Sequence, residues 1–177
     1  DTTYNSIAPF KLGDLNIKYR VVPAPQNCPP YQLPEQNTAL PNFLRNALYQ
    51  QLSLDRAPAC FELQVQKQNA QYYMPIEDPS VEWDEKLSPF ESVARITVPP
   101  QDFDSREQNL FCDNLSFNPW HALAAHRPIG GINRLRKSVY EAVSAYRHQR
   151  NAAPAAAGPE NSASQVDEEE TGTELSQ

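Results

Sequence analysis

Arg136, Tyr140 and Arg147 lie in the stretch NRLRKSVYEAVSAYR, which runs from Asn133 to Arg147. The first arginine is four residues before the tyrosine and the second is seven after it. At helical spacing all three fall on or beside one face. A guanidinium one turn before a phenol can donate to the phenolic oxygen and favour its anion. A phenolate is a hard anionic ligand of the kind ferric iron accepts. A second guanidinium two turns further on suits a carboxylate, which its planar fork binds in bidentate fashion. Together the three would hold a ligand that is apolar in its body and anionic at its edge. The other reading is a surface helix. In it the arginines extend past the core to water and Tyr140 packs as an amphipathic core residue. An unpaired charge on a buried face is costly, so either reading needs a partner for each arginine.

The helix that must carry these residues is expected from about Ile132 to about Gln149, after the Gly130-Gly131 pair. Its apolar stripe takes in Ile132, Leu135, Val139, Val143 and Tyr146, with Arg136, Tyr140 and Arg147 on or beside it. Asn133, Lys137, Glu141 and Ser144 are expected on the solvated side. Upstream, Phe117-Asn118-Pro119-Trp120 is expected to seat this helix, with Asn118 turning the chain and Trp120 packing.

Alternation of apolar and polar residues predicts strands over Leu15–Val22, Cys60–Gln68 and Ser92–Val98. Phe61, Leu63 and Val65 share one face of the second, as in a half-buried antiparallel strand. Helical spacing of Phe43, Leu44, Ala47, Leu48 and Leu52 predicts a helix within Ala39–Asp55. Ser105 with Gln108 three residues on reads as a capping box opening a helix over Ser105–Leu115. Strands, then a helix, then strands and helices, without βαβ alternation, indicate α+β with an antiparallel sheet.

The chain has 177 residues, 17 prolines and five glycines. The prolines gather in connectors, chiefly Val21–Pro34, Met74–Trp83 and Thr97–Asp102, which are read as stiff, ordered excursions. Residues 1–150 read as one domain. Residues 151–177 hold six acids and no Lys or Arg and read as a disordered tail. Without that tail 15 basic residues face 16 acidic ones, so nearly all of the net charge of -7 belongs to the tail. Nothing resembles the basic field of a nucleic-acid binder, and no apolar run is long enough to span a membrane. Cys28, Cys60 and Cys112, odd in number and widely spaced, argue against a disulfide framework and mildly favour a reducing, cytoplasmic setting. The five acids of Glu77–Glu85 lack a calcium-loop spacing and read as a solvated loop. His121 and His126 read as loop histidines, His148 as solvated, and Trp83 and Trp120 as core anchors.

The Arg-Tyr-Arg spacing resembles the proximal haem segment of catalases. Leu115–Ala142 (LSFNPWHALAAHRPIGGINRLRKSVYEA), Thr3–Pro23 and Met74–Asp102 are similar to the small, divergent catalase-related proteins. The likeness covers nearly all of residues 1–150. It implies that Tyr140 ligates haem iron, that Arg136 hydrogen-bonds the phenolate and that Arg147 meets a haem propionate. It implies a catalase-like antiparallel β-barrel with peripheral helices, present as the second half of a haem domain. Ordinary catalases follow the tyrosine with Pro-Asp-Thr, whereas Tyr140 is followed by Glu141-Ala142-Val143 as in the divergent group. The family's distal His and Asn lie earlier in the chain, so no acid–base catalytic residue is expected among these 177. The implied activity is haem-dependent consumption of hydrogen peroxide, with a homo-oligomer possible. A fatty-acid hydroperoxide isomerase of the allene oxide synthase type, or a haem-binding module without turnover, stands beside it.

Overall fold

The computed structural model describes residues 2–32, 34–35 and 38–152. Five strands form one antiparallel sheet: β1 (Tyr4–Asn5), β2 (Phe10–Leu12), β3 (Leu15–Pro23), β4 (Ala59–Lys67) and β5 (Glu91–Val98). The order is β1-β3-β4-β5, with β2 also paired to β3. The register places Tyr19 opposite Val65 and Val21 opposite Leu63. A bulge lies between Leu63 and Gln64 where β4 meets β5.

Alternation sorts the side chains onto two faces. Phe10, Ile17 and Val65 are buried on one face, with Leu12 and Tyr19 packed against them. The Phe10 and Tyr19 rings meet at 5.1 Å. This face forms an apolar concavity of about 510 Å³ that also includes Leu63 and Val93, with His126 among its lining residues. The proline-rich loop from Met74 to Phe90 covers the other face. Trp83, 1% exposed, sits under Lys18, whose ammonium lies 5.0 Å from the ring. The buried Gln66 amide donates to the carbonyls of Trp83 and Ser88, and Trp83 Nε1 donates to the carbonyl of Pro75. These bonds satisfy the backbone of an irregular segment that has no ladder of its own. They make the loop an ordered element, as its prolines imply.

Three helices follow the same sequence logic with shifted ends. Helix α1 (Phe43–Tyr49) starts later than Ala39, two residues after Pro41, and continues as a π turn over Gln50–Leu54. Helix α2 (Arg106–Asp113) has Ser105 as its cap, accepting from the Gln108 amide. Helix α3 (Gly131–Ala152) extends past Gln149 and takes in residues 151–152, which were assigned to the tail. The remainder of the expected disordered tail, 153–177, lies outside the described residues.

Two expectations are corrected. The sheet is antiparallel within an α+β fold, but it does not close into a barrel. Among the described residues no strand joins β5 to the opposite edge, and β5 is exposed along most of its length. The second correction concerns cysteine: Cys28 and Cys60 form a disulfide, and only Cys112 is a free, exposed thiol. The parity argument failed because the odd cysteine is a bystander. The 3₁₀ turn Pro25–Asn27 carries Cys28 back onto the start of β4, where the amide of Ala24 donates to the carbonyl of Cys60. The case for a reducing compartment goes with it.

Gly130 lies at the entry to α3 with φ +86°, and a Cβ there would stand 2.6 Å from the carbonyl oxygen of Ile76. Left-handed backbone disfavours a side chain, and here the obstacle is backbone that cannot swing aside. Gly130→Ala should therefore destabilise the chain by about 2–4 kcal/mol in urea unfolding. A loss below about 0.5 kcal/mol, the scale of an ordinary surface change, would show that the helix entry yields easily.

Candidate functional site

Helix α3 carries two stripes about a quarter turn apart. Leu135, Val139, Val143 and Tyr146 form the apolar one and are exposed, at 48–62%. Asn133, Arg136, Tyr140, Ser144 and Arg147 form the other, and this side meets the rest of the chain. The expectation that Asn133 and Ser144 face solvent is thus reversed: Asn133 is fully buried and Ser144 half-buried.

The segment Leu115–His121 runs antiparallel to α3 and is stitched to it along its length. Near the helix end, Arg147 donates to the carbonyls of Asp113 and Leu115, and His148 Nε2 meets the carbonyl of Asn114 at 2.8 Å. These carbonyls lie at the end of α2, where backbone acceptors lack helical partners, and cations there are favourable. Midway, the hydroxyls of Ser116 and Ser144 share a hydrogen bond. At the start, Asn118 Oδ1 accepts from the amide of Trp120, and Trp120 Nε1 donates 2.9 Å to the carbonyl of Asn133. The Phe-Asn-Pro-Trp run seats the helix as its residue types imply. His148, expected to be solvated, has an exposed ring with a defined partner.

Arg136 and Tyr140 are brought together: Nη2 of Arg136 donates to the Tyr140 hydroxyl at 3.1 Å. The guanidinium carbon lies 5.2 Å from the ring centroid. Both residues are half-buried. Tyr140 lines two hollows, with Phe117 common to both. One, of about 230 Å³, is walled by Phe117, Val139, Val143, Ser144 and Arg147. The other, of about 380 Å³, adds Ser116, Asn118, Pro119, His121 and Arg136. Arg147 lines the first hollow with Tyr140 while donating to the carbonyls of Asp113 and Leu115. His121 and His126 are exposed on the connecting segment.

The loop over the second sheet face fixes the start of α3. Arg134 forms a bidentate pair with Glu77, at 3.1 and 2.8 Å. That contact, with the Gly131 amide, holds the Glu77 carboxyl below its ordinary range. Of the other acids in the Glu77–Glu85 run, Asp78 caps Ser80 and Asp84 caps Lys86 locally, while Glu85 reaches across to pair with Arg20 on β3. Among the described residues no group of three or more His, Cys, Asp or Glu is arranged to hold a metal ion. No helix among them is long and apolar enough to cross a membrane.

Comparison of the backbone with solved structures finds a crystal structure of a fungal catalase, with a TM-score of 0.65 over 82% of this chain. The chain has a catalase-like fold. Identity to that catalase is 12%, and the matched region spans 30% of its length. No family model matches the sequence, and no curated protein does. The catalase likeness therefore concerns the path of the backbone. It leaves the role of each side chain to be argued from its chemistry.

Proposed function

We propose that this chain supplies the iron-ligand side of a haem-dependent, peroxide-consuming oxidoreductase of the catalase type. The supporting observation is the Arg136–Tyr140 hydrogen bond at 3.1 Å, on a helix whose neighbouring apolar stripe is exposed. Tyr140 would provide the oxygen that binds iron. Arg136 would donate a charged hydrogen bond to that ligating oxygen, from the position its guanidinium already holds. Phe117, Val139 and Val143 offer the apolar wall that a flat macrocycle needs, and Arg147 lies at its edge, where a propionate would be met. Haem, when bound, carries the redox chemistry of the peroxide.

The 230 Å³ hollow is smaller than the roughly 300–1,000 Å³ of sites that enclose a drug-sized ligand. It would take one edge of a haem, with the remaining surface covered by protein outside this chain. That agrees with a match over 30% of a catalase. The acid–base histidine that the family resemblance implies would belong to that other part.

The test is the absorption spectrum of the full chain, joined to its upstream sequence, with ferric haem. The wild type should give a high-spin ferric spectrum with a phenolate-to-iron charge-transfer band. Tyr140→Phe should lose that band and retain haem at least about tenfold more weakly, the effect of losing a bond of about 1.4 kcal/mol or more. Equal spectra and equal retention in the two proteins would return Tyr140 to ordinary packing.

A further inference from the structure

We infer that Asn133 is a positioning residue for the Arg136–Tyr140 pair, a role that rests on the reading of Tyr140 given above. Asn133 is 0% exposed, and its side-chain amide has a partner on every side. Nδ2 donates to the carbonyls of Pro9 at 2.9 Å and Ile129 at 3.0 Å. Oδ1 accepts from Nη1 of Arg136 at 3.2 Å. The orientation of the amide is not free. Carbonyl oxygens only accept, so nitrogen must face Pro9 and Ile129 and oxygen must face Arg136. The main-chain carbonyl of Asn133 is fixed as well, by Trp120 Nε1.

The result is a chain of aligned donors. Two backbone carbonyls orient the amide, the amide oxygen holds one arm of the guanidinium, and the other arm is directed at the phenolic oxygen. Asparagine does this without charge. Among the described residues no carboxylate lies within ion-pair distance of Arg136. Its positive charge is therefore left for Tyr140. An aspartate at 133 would meet two carbonyl oxygens head-on and would neutralise the guanidinium. An alanine would leave the Ile129 carbonyl unpaired, the Pro9 carbonyl with only the Ile129 amide, and Arg136 held only by Tyr140. The sequence offered one clue: Asn133 precedes Arg136 by three residues and Tyr140 by seven, which is the helical spacing of a shared stripe.

Two readouts test this, one of which needs no haem. In the unmodified full chain, rotation of the Arg136 guanidinium about Nε–Cζ, followed by nitrogen-15 exchange NMR, should be roughly tenfold slower than for the exposed Arg150. Equal rates would overturn the proposal, whatever any variant does. The second readout is the ferric haem spectrum of Asn133→Ala and Asn133→Asp, each alone and in an Arg136→Lys background. A positioning role predicts a shifted ferric spectrum in both single variants, stronger for Asp, and no further shift once Arg136 is replaced. A spectrum unchanged in Asn133→Ala despite lowered thermal stability would reduce Asn133 to packing. Failure of the wild type to take up haem would remove the haem reading alone, because the guanidinium rotation still decides whether Asn133 holds Arg136.

Discussion

Trp83→Ala should lower the unfolding free energy by about 3–5 kcal/mol, the range found when a fully buried aromatic is truncated. Trp83 is 1% exposed and is the nail between the sheet and the loop above it. Its removal empties the space under Lys18 and orphans the Pro75 carbonyl that accepts from Nε1 at 3.2 Å. For a domain with about 5–15 kcal/mol in hand, this consumes a large fraction. The loop also holds Ile76 and Glu77 against the start of α3, so the helix that carries Tyr140 should loosen with it. Trp83→Phe is the control. It keeps much of the apolar volume and loses one hydrogen bond, so about 1–3 kcal/mol is expected. Urea unfolding with an unchanged slope would confirm that the native state is what changed. Equal losses for Phe and Ala would mean that the Pro75 bond matters and the buried ring does not.

Reduction of Cys28–Cys60 should cost about 3–4 kcal/mol, from a closed loop with a sequence separation of 32. The enclosed stretch contains α1 and the proline-rich run after β3, a region with little core of its own. In α1, Leu44 and Leu48 are exposed. Burial resumes at Leu52 and Ser53 in the π turn, where Ser53 donates to the carbonyl of Gln101. Thiol titration of the native chain should count one accessible sulfhydryl, Cys112, rising to three after reduction and unfolding. Three thiols in the untreated protein, or a melting temperature indifferent to reductant, would contradict the link.

The regular elements were legible because local chemistry fixes them. Alternation marked β3 and β4 to within one residue, and Ser105 with Gln108 marked the start of α2. The spacing of Arg136 and Tyr140 foretold a contact because residues four apart on a helix must meet. What periodicity could not give was direction. The apolar stripe of α3 looked like its packed side, yet the chain's own contacts use the neighbouring stripe of Asn133, Ser144 and Arg147, which is joined by hydrogen bonds. Hydrophobicity marks a face suited to burial without naming what buries it. The Cys28–Cys60 link was hidden for a related reason: it depends on how a 3₁₀ turn meets a strand, and residue counts carry no such information. Closure of the sheet was likewise unreadable, since it depends on strands that the described residues do not supply.

Asn133 donates to the carbonyl of a residue 124 positions earlier. Contacts of such sequence separation form late, because a long loop must close before they return any stabilisation. Pro9 emerges from the ribosome among the first residues of this segment, while Asn133 follows only after the whole sheet has been made. The alignment of Arg136 on Tyr140 should therefore be among the last features to mature during synthesis. A nascent chain halted before α3 would possess its sheet and loop while the segment around Pro9 still awaits its partner.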